Sequence, residues 1–323
     1  MSNNQTIQIA TAGEALFDLV TQPNGQLLPC AGGAAYNLTR ALGRQSQAVG
    51  YLNPFSSDRF GRQLRDQLLA DGAVVLRDHP VPEPTSLAVV AVDANGQPNY
   101  AFYRSNVADR AVDAQGLNEH CAALPNLSMI VTGCLALSPD DQETYLPWLS
   151  HAQKSGLTVV VDANLRPAVL ADADAYRRNV HAALAYADII KASDEDLAFL
   201  FDSPAPANQL ARQLFATTSA TTVALTLGAA GAALLHRDGR HWHAIDTAPI
   251  TIQDTVGAGD CFLAGLLTKT IENAKIKGSD PFYFDALKFG VACAGFCVSR
   301  VGCDPPTAAQ AAEWVKRGTI RVN

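Results

Sequence analysis

The chain has 323 residues, 48% of them hydrophobic and 17% charged, which allows a large core and is too long for one simple sandwich. Its net charge is -7, from 31 acidic and 24 basic residues, with no Lys/Arg block, which argues against a nucleic-acid or anionic-membrane partner. The polar residues 1–6 carry no basic region, and no stretch approaches the roughly 20 apolar residues of a membrane span, so a cytoplasmic protein is expected.

In chain order, residues 8–13 predict a buried strand, which residues 14–18 continue, and residues 21–29 a hairpin turn. Gly32 and Gly33 then allow a sharp turn into a helix that runs to Gly43, with Asn37 as a polar residue on a largely apolar segment. Asn37 is either a ligand group or a solvent-facing helix residue. Residues 47–52 predict a strand and residues 57–71 an amphipathic helix with Phe60, Leu64 and Leu68 on one face.

After Pro80, Pro82 and Pro84, residues 86–92 and 99–104 predict a β hairpin turning at 93–98. This interrupts a βα rhythm and is a candidate lid or dimer element, with Arg104 either held over a cleft or exposed on the edge. The rhythm resumes with strands at 129–132, 157–161 and 188–192. Asp162, Asn164 and Arg166 follow the second of these, at the end where open α/β sheets bind ligands. Ser193-Asp194-Glu195-Asp196 opens a helix, where acids complement the dipole. A strand at 222–227, the Gly228-x-x-Gly231 turn, a return strand at 232–236 and a long apolar helix over 284–300 complete the pattern.

Seven cysteines are scattered, at 30, 121, 134, 261, 293, 297 and 303. The odd number and the lack of a CxxC pair argue against a disulfide framework or a metal site and for a reduced compartment. Cys293 and Cys297, one helical turn apart in an apolar run, are expected to be buried small hydrophobes.

The most informative stretch is Asp254-Thr255-Val256-Gly257-Ala258-Gly259-Asp260, followed at once by an apolar helical pattern. Unpaired amides at a helix start, with almost no side chain in the way, make an anion site suited to a phosphate. Asp260 beside it suits a base that takes a proton from an attacking hydroxyl. The alternative is an ordinary helix start with Asp260 as a cap.

Taken together, these motifs resemble the ribokinase-like (PfkB-type) sugar kinases over nearly the whole chain. The stretch 254–260 matches that family's most specific motif, Gly32-Gly33-x-x-x-Asn37 its N-terminal motif, and Thr226-x-Gly228-x-x-Gly231 its nucleotide strand. The resemblance implies one α/β domain over residues 1–323, with a mostly parallel sheet, helices on both faces and a small β lid from about 15–30 and 84–104. It implies transfer of the ATP γ-phosphoryl to a sugar hydroxyl. Asp260 would be the base, and Gly257, Ala258 and Gly259 the anion hole. Asp18, Gly32, Gly33 and Asn37 would hold the sugar, with Arg104, Asp162, Asn164 and Arg166 as further candidates. Thr226, Gly228 and Gly231 would line the nucleotide site, with Lys191 and Ser193 nearby. Mg²⁺ would bridge the phosphates, and a K⁺ loop would include Asp254, the Val256 carbonyl and the stretch 297–302. Two copies are expected to pair through the lid.

The sequence departs from the family pattern at three places. The usual Asn-x-x-Glu of the Mg²⁺ region is Ser193-x-x-Asp196 here. Tyr36 replaces a smaller residue, and Asn53-Pro54 stands where a glycine turn is expected; either could reshape the sugar pocket. Glu14, Asp18, the 162–167 stretch and Phe102-Tyr103-Arg104 are most similar to the fructokinase and 2-keto-3-deoxygluconate kinase branch, with fructose favoured. A non-catalytic sugar-binding regulator would be expected to lack Asp260 or the anion hole, and both are present.

Overall fold

Alternating burial on two sides of one sheet organises the molecule. In a computed structural model, residues 6–22, 24–92, 98–167 and 172–323 are described. The chain runs β1 (Ile9–Thr11), β2 (Leu16–Thr21), β3 (Leu27–Gly32), α1 (Ala34–Arg44), β4 (Val49–Tyr51), α2 (Arg59–Ala70) and β5 (Val74–Val75). It continues through β6 (Ser86–Val92), β7 (Pro98–Tyr103), α3 (Ala114–Ala122), β8 (Met129–Gly133), α4 (Gln142–Lys154), β9 (Thr158–Asp162) and α5 (Ala173–Leu184). Then come β10 (Ile189–Ser193), α6 (Asp194–Phe201), α7 (Ala207–Thr217), β11 (Thr222–Thr226), β12 (Ala232–His236) and β13 (His241–Asp246). The last elements are α8 (Ala258–Glu272), α9 (Asp280–Val298), α10 (Ala308–Lys316) and β14 (Ile320–Val322).

The large sheet has the order β14-β13-β12-β11-β10-β9-β8-β1-β4-β5. It is parallel from β5 to β11 and antiparallel from β11 to β14. Successive side chains of a strand face opposite ways. Accordingly Ile9, Val160, Ala224 and Leu234 join one core with α1, α2, α8, α9 and α10. Ala10, Val159, Val161, Val223 and Leu225 join the other, under α3 to α7. Burial on both faces explains the short continuous apolar runs of these strands.

The second sheet has the order β3-β2-β6-β7, close to the two ranges expected for the lid. Pro29 lies in the edge strand β3, where a missing N–H breaks no ladder. The turn expected at 93–98 falls largely outside the described residues.

Two expectations are corrected. Residues 14–18 do not continue β1. The backbone turns at Gly13, whose φ of 146° and whose Cβ position 2.7 Å from Ala35 Cβ exclude a side chain, and β2 enters the other sheet. One stretch is also long and apolar enough to span a membrane, namely α9, with mean hydropathy 1.3. It is 67% buried and packs between α8, α10 and β13, as a core helix does.

Candidate active site

The start of α8 is built by Gly257, which holds φ 76°, and a Cβ there would collide with Cys303 Sγ. Among the described residues, no backbone carbonyl or side chain accepts from the amides of Gly257, Gly259 or Asp260. The Ala258 amide instead turns back to the Thr255 carbonyl at 3.3 Å. The unpaired donors of the turn are therefore those of Gly257, Gly259 and Asp260, and the Ala258 amide expected from the motif is engaged by Thr255.

Asp260 is buried in the first turn of α8. Its Oδ2 accepts from Asn37 Nδ2 at 3.1 Å and its Oδ1 from Asn164 Nδ2 at 3.4 Å. Burial pushes its carboxyl up to about 6, against the pull of Lys191, the Asn37 amide and Arg166. It is not a helix cap: the N-cap is Gly257, and no side chain caps this helix. Asn37 is buried, so the solvent-facing alternative fails, and its Oδ1 has no partner. Asn164 adopts φ 39° and accepts Arg166 Nη1 at 2.8 Å on its Oδ1.

Lys191, on β10, is buried and lies 2.9 Å from Asp162 Oδ1 at the end of β9. Its Nζ is 2.8 Å from the place a Cβ of Gly259 would occupy, which aims the ammonium at the glycine turn. Burial works against the Lys191 charge, but Asp162, Asp196 and Asp260 outweigh it and raise its pKa. Burial pushes Asp162 up to about 7 despite Lys191.

Ser193 and Asp196 close a capping box at the start of α6. Asp196 Oδ2 accepts the Ser193 amide at 2.8 Å and Oδ1 the Leu165 amide at 2.7 Å. Both oxygens thus anchor backbone, and Asp196 holds the Asn164–Arg166 loop rather than presenting a bare carboxylate to a metal.

On the small sheet, Asp18 faces Gly32, where a side chain would collide with its Oδ2. Burial pushes its carboxyl up to about 6, with Arg166 opposing. Gly33, at φ 106°, brings the chain against the Glu14 carbonyl, and Glu14 Oε1 accepts the Ala34 amide at the start of α1 at 2.7 Å. Glu14 Oε2 is buried without a partner.

Arg104 is neither free over a cleft nor exposed on an edge. Its guanidinium lies 3.4 Å from Asp109 Oδ2 and 3.7 Å from Asp141 Oδ2, at 13% side-chain exposure. Two carboxylates already lie against its guanidinium, the second of them shared with Arg110. Tyr36 does not reshape the pocket; it is buried and donates to the Leu64 carbonyl at 3.1 Å. Asn53 is likewise structural, joining Gly13, Asp109 and Tyr145.

A cavity of about 670 Å³ reaches the turn at Thr255, Ala258 and Gly259. Thr226, Gly228, Gly231, Ser193 and Lys191 line it as expected, together with Asn164, Arg166 and Gly259. Its apolar wall carries no motif in the sequence. Ile250 and Ile252 face Val291, Ala294, Gly295 and Val298 of α9. These four α9 residues recur at helical spacing, a stripe of small side chains that could have signalled a flat ligand surface. The wall fits an aromatic base, and the amide-rich turn fits its phosphates.

Beside the turn, Asp254 Oδ1 accepts the Val256 amide at 3.0 Å and Oδ2 the Gly302 amide at 2.9 Å. This ties the two segments expected to form the cation loop.

The pfkB family carbohydrate kinase pattern matches residues 10–310. The fructokinase of Rhizobium leguminosarum bv. trifolii is 32% identical over 267 residues, covering 80% of this chain and 78% of its own. Fructokinase-1 of Zea mays is 26% identical over 324 residues, covering 96% and 98%. Among solved structures, fructokinase with bound ATP from Xylella fastidiosa superposes with TM-score 0.84 at 26% identity, over 97% of this chain and 99% of its own. Vibrio cholerae O395 fructokinase, bound to fructose, ADP and calcium, gives TM-score 0.78 at 25% identity, over 95% and 99%. The buried Asp260, the open-amide turn and the nucleotide-sized cavity agree with these matches, and the chain belongs to the pfkB family of carbohydrate kinases.

Proposed function

We propose that the protein is an ATP-dependent fructokinase. The carrying observation is Asp260, held between Asn37 and Asn164 beside the open-amide turn, with Asn164, Lys191 and Gly259 next to it on the wall of the large cavity. Asp260 takes the proton of the sugar's primary hydroxyl as that oxygen bonds to the γ-phosphorus. The bond to the bridging oxygen breaks, and ADP leaves with the electron pair. The amides of Gly257, Gly259 and Asp260 and the Lys191 ammonium hold the charge on the transferred group. A carboxyl near 6 is largely ionised at neutral pH and more basic than an exposed aspartate, which suits proton abstraction.

Asp18, Gly32, Gly33, Asn37 and Asn164 orient the sugar, and closure of the small sheet excludes water that would compete for the phosphoryl group. Asp194 and Glu195 at the cavity wall would hold Mg²⁺ through water, and the ion would supply neutralisation of the phosphate charge. K⁺ is assigned to the Asp254 and Val256 loop, whose carboxylate is already oriented by two amides. Exposed Leu27, Leu28 and Tyr103 on the small sheet support pairing of two lids in a homodimer. The reading as a small-molecule kinase also accords with a cytoplasmic, reduced setting.

Fructose is favoured over an acid sugar because Arg104 is already engaged by Asp109 and Asp141. The other fructokinases matched carry the same preference in their names. The test is coupled ADP release with fructose, 2-keto-3-deoxygluconate and ribose. Fructose is expected to give the highest kcat/KM. A higher value for the acid sugar overturns the specificity, and no stimulation by any sugar overturns the kinase reading.

A further inference from the structure

Behind the phosphate turn lies a group of side chains that the reaction does not use. Cys261 comes from the first turn of α8, Cys297 from the last turn of α9, and Cys303 from the loop that follows. Their three sulfurs lie within 4.8 Å of one another. The sequence hid this, since no two of them are close enough in the chain to form a recognisable pair.

Cys261 and Cys297 are fully buried, while Cys303 is partly exposed and gives the cluster an entrance. The Cys297 thiol donates to the Val256 carbonyl at 3.5 Å, with the other two sulfurs beside it. On its other side, Cys303 packs directly against Gly257, where any Cβ would meet its sulfur.

We propose that Cys261, Cys297 and Cys303 form a binding site for a thiophilic d10 cation, for which Zn²⁺ is the probe, and that its occupation inhibits phosphoryl transfer. Three sulfurs and no imidazole or carboxylate make a soft donor set. Metal–sulfur bonds of about 2.3 Å place tetrahedrally arranged sulfurs about 3.8 Å apart, so the cluster needs to contract by no more than about 1 Å. Water supplies the fourth ligand. A disulfide would join only two of the three and leave the third unused, whereas coordination employs all of them.

The charge balance explains the inhibition. Three neutral thiols and one Zn²⁺ give a tris-thiolate complex of net charge −1 and three released protons. That negative charge lies directly behind the amides that bind phosphate. Contraction also draws Cys303 from Gly257 and pulls on Cys261, the neighbour of Asp260. Metal and nucleotide therefore oppose each other, and by linkage each weakens the other's affinity by the same factor.

The test uses the reduced full-length protein. Cd²⁺ is titrated while the sulfur-to-cadmium charge-transfer absorption is followed, and Zn²⁺ affinity is measured by competition with a chromogenic chelator. One equivalent is expected to bind, with the absorption of three thiolates and release of three protons, and ADP is expected to weaken Zn²⁺ binding. Zn²⁺ should inhibit sugar phosphorylation at excess Mg²⁺ with the midpoint of the binding curve. Cys261→Ser and Cys303→Ser should each weaken Zn²⁺ binding at least about tenfold and shift the inhibition equally. Cys121→Ala, in the core on the other side of the sheet, should shift neither. Thermal melts with and without Zn²⁺ check that each variant is folded. Absence of the thiolate band in the unmutated protein overturns the site. So does a band of full intensity in both serine variants, and binding without inhibition overturns the regulatory role. The binding measurement is independent of which sugar is the substrate, so its failure is distinguishable from failure of the fructokinase reading.

Discussion

Asn37 Nδ2 donates to Asp260 Oδ2 at 3.1 Å across 223 positions of the chain. The bond joins the helix behind the glycine pair to the helix behind the phosphate turn. It orients the Asp260 carboxylate and lowers its pKa, against the larger effect of burial.

Replacing Asp260 with Asn should lower kcat by about 10²–10⁴-fold while sugar and ATP still bind. The kcat/KM profile of the unmutated enzyme should rise with pH through about 6, where Asp260 loses its proton, and then level off. The same substitution should stabilise the protein. A carboxyl raised by folding contributes stability below its unfolded pKa and loses it as pH rises through the folded value. Thermal melting should therefore show Asp260→Asn more stable than the parent above pH 6, with the gap closing toward pH 4.

Asn37→Ala removes a hydrogen bond that favours the ionised carboxylate. The acid limb of the pH–rate profile should move upward, and kcat should fall. An unmoved limb would mean the Asn37 contact does not tune the base.

Lys191→Met breaks a buried ion pair and leaves Asp162 uncompensated. Denaturant titration should show a loss of about 3–5 kcal/mol, with kcat reduced at least about 10²-fold. Adding Asp162→Leu should recover much of the stability and none of the rate, which separates the two roles.

Ala294→Phe places a ring against the apolar wall of the large cavity. KM for ATP should rise about tenfold or more, with KM for fructose nearly unchanged. A selective rise in the sugar KM would place the two substrates the other way round.

Arg104→Ala removes the cation shared by Asp109 and Asp141. The expected effect is a stability loss of about 3–5 kcal/mol in denaturant titration, with the preference for neutral over acidic sugar unchanged. A gain in activity on the acid sugar or a full loss of sugar binding without destabilisation would contradict the structural role.

By itself the sequence determined what is local. Gly257 and Gly259 before an apolar run specify a helix start with open amides, because helix ends leave N–H groups unpaired and glycine adds nothing to cover them. Alternation of strands and helical patterns specified the parallel sheet, because residues buried on both faces must be apolar without a break. Gly32, Gly33 and Asn37, with Asp260, specified the family. What only the tertiary structure decided are pairings between distant segments. Arg104 reads as a cleft cation until the turn after β7 folds Asp109 back onto it and the segment before α4 brings Asp141 alongside. Asp196 resembles a metal ligand until the Leu165 amide takes one of its oxygens. Cys261, Cys297 and Cys303 look unrelated until α8 and α9 pack side by side. Charge and thiol chemistry depend on what lies within a few ångströms, and that neighbourhood is set by topology rather than by spacing along the chain.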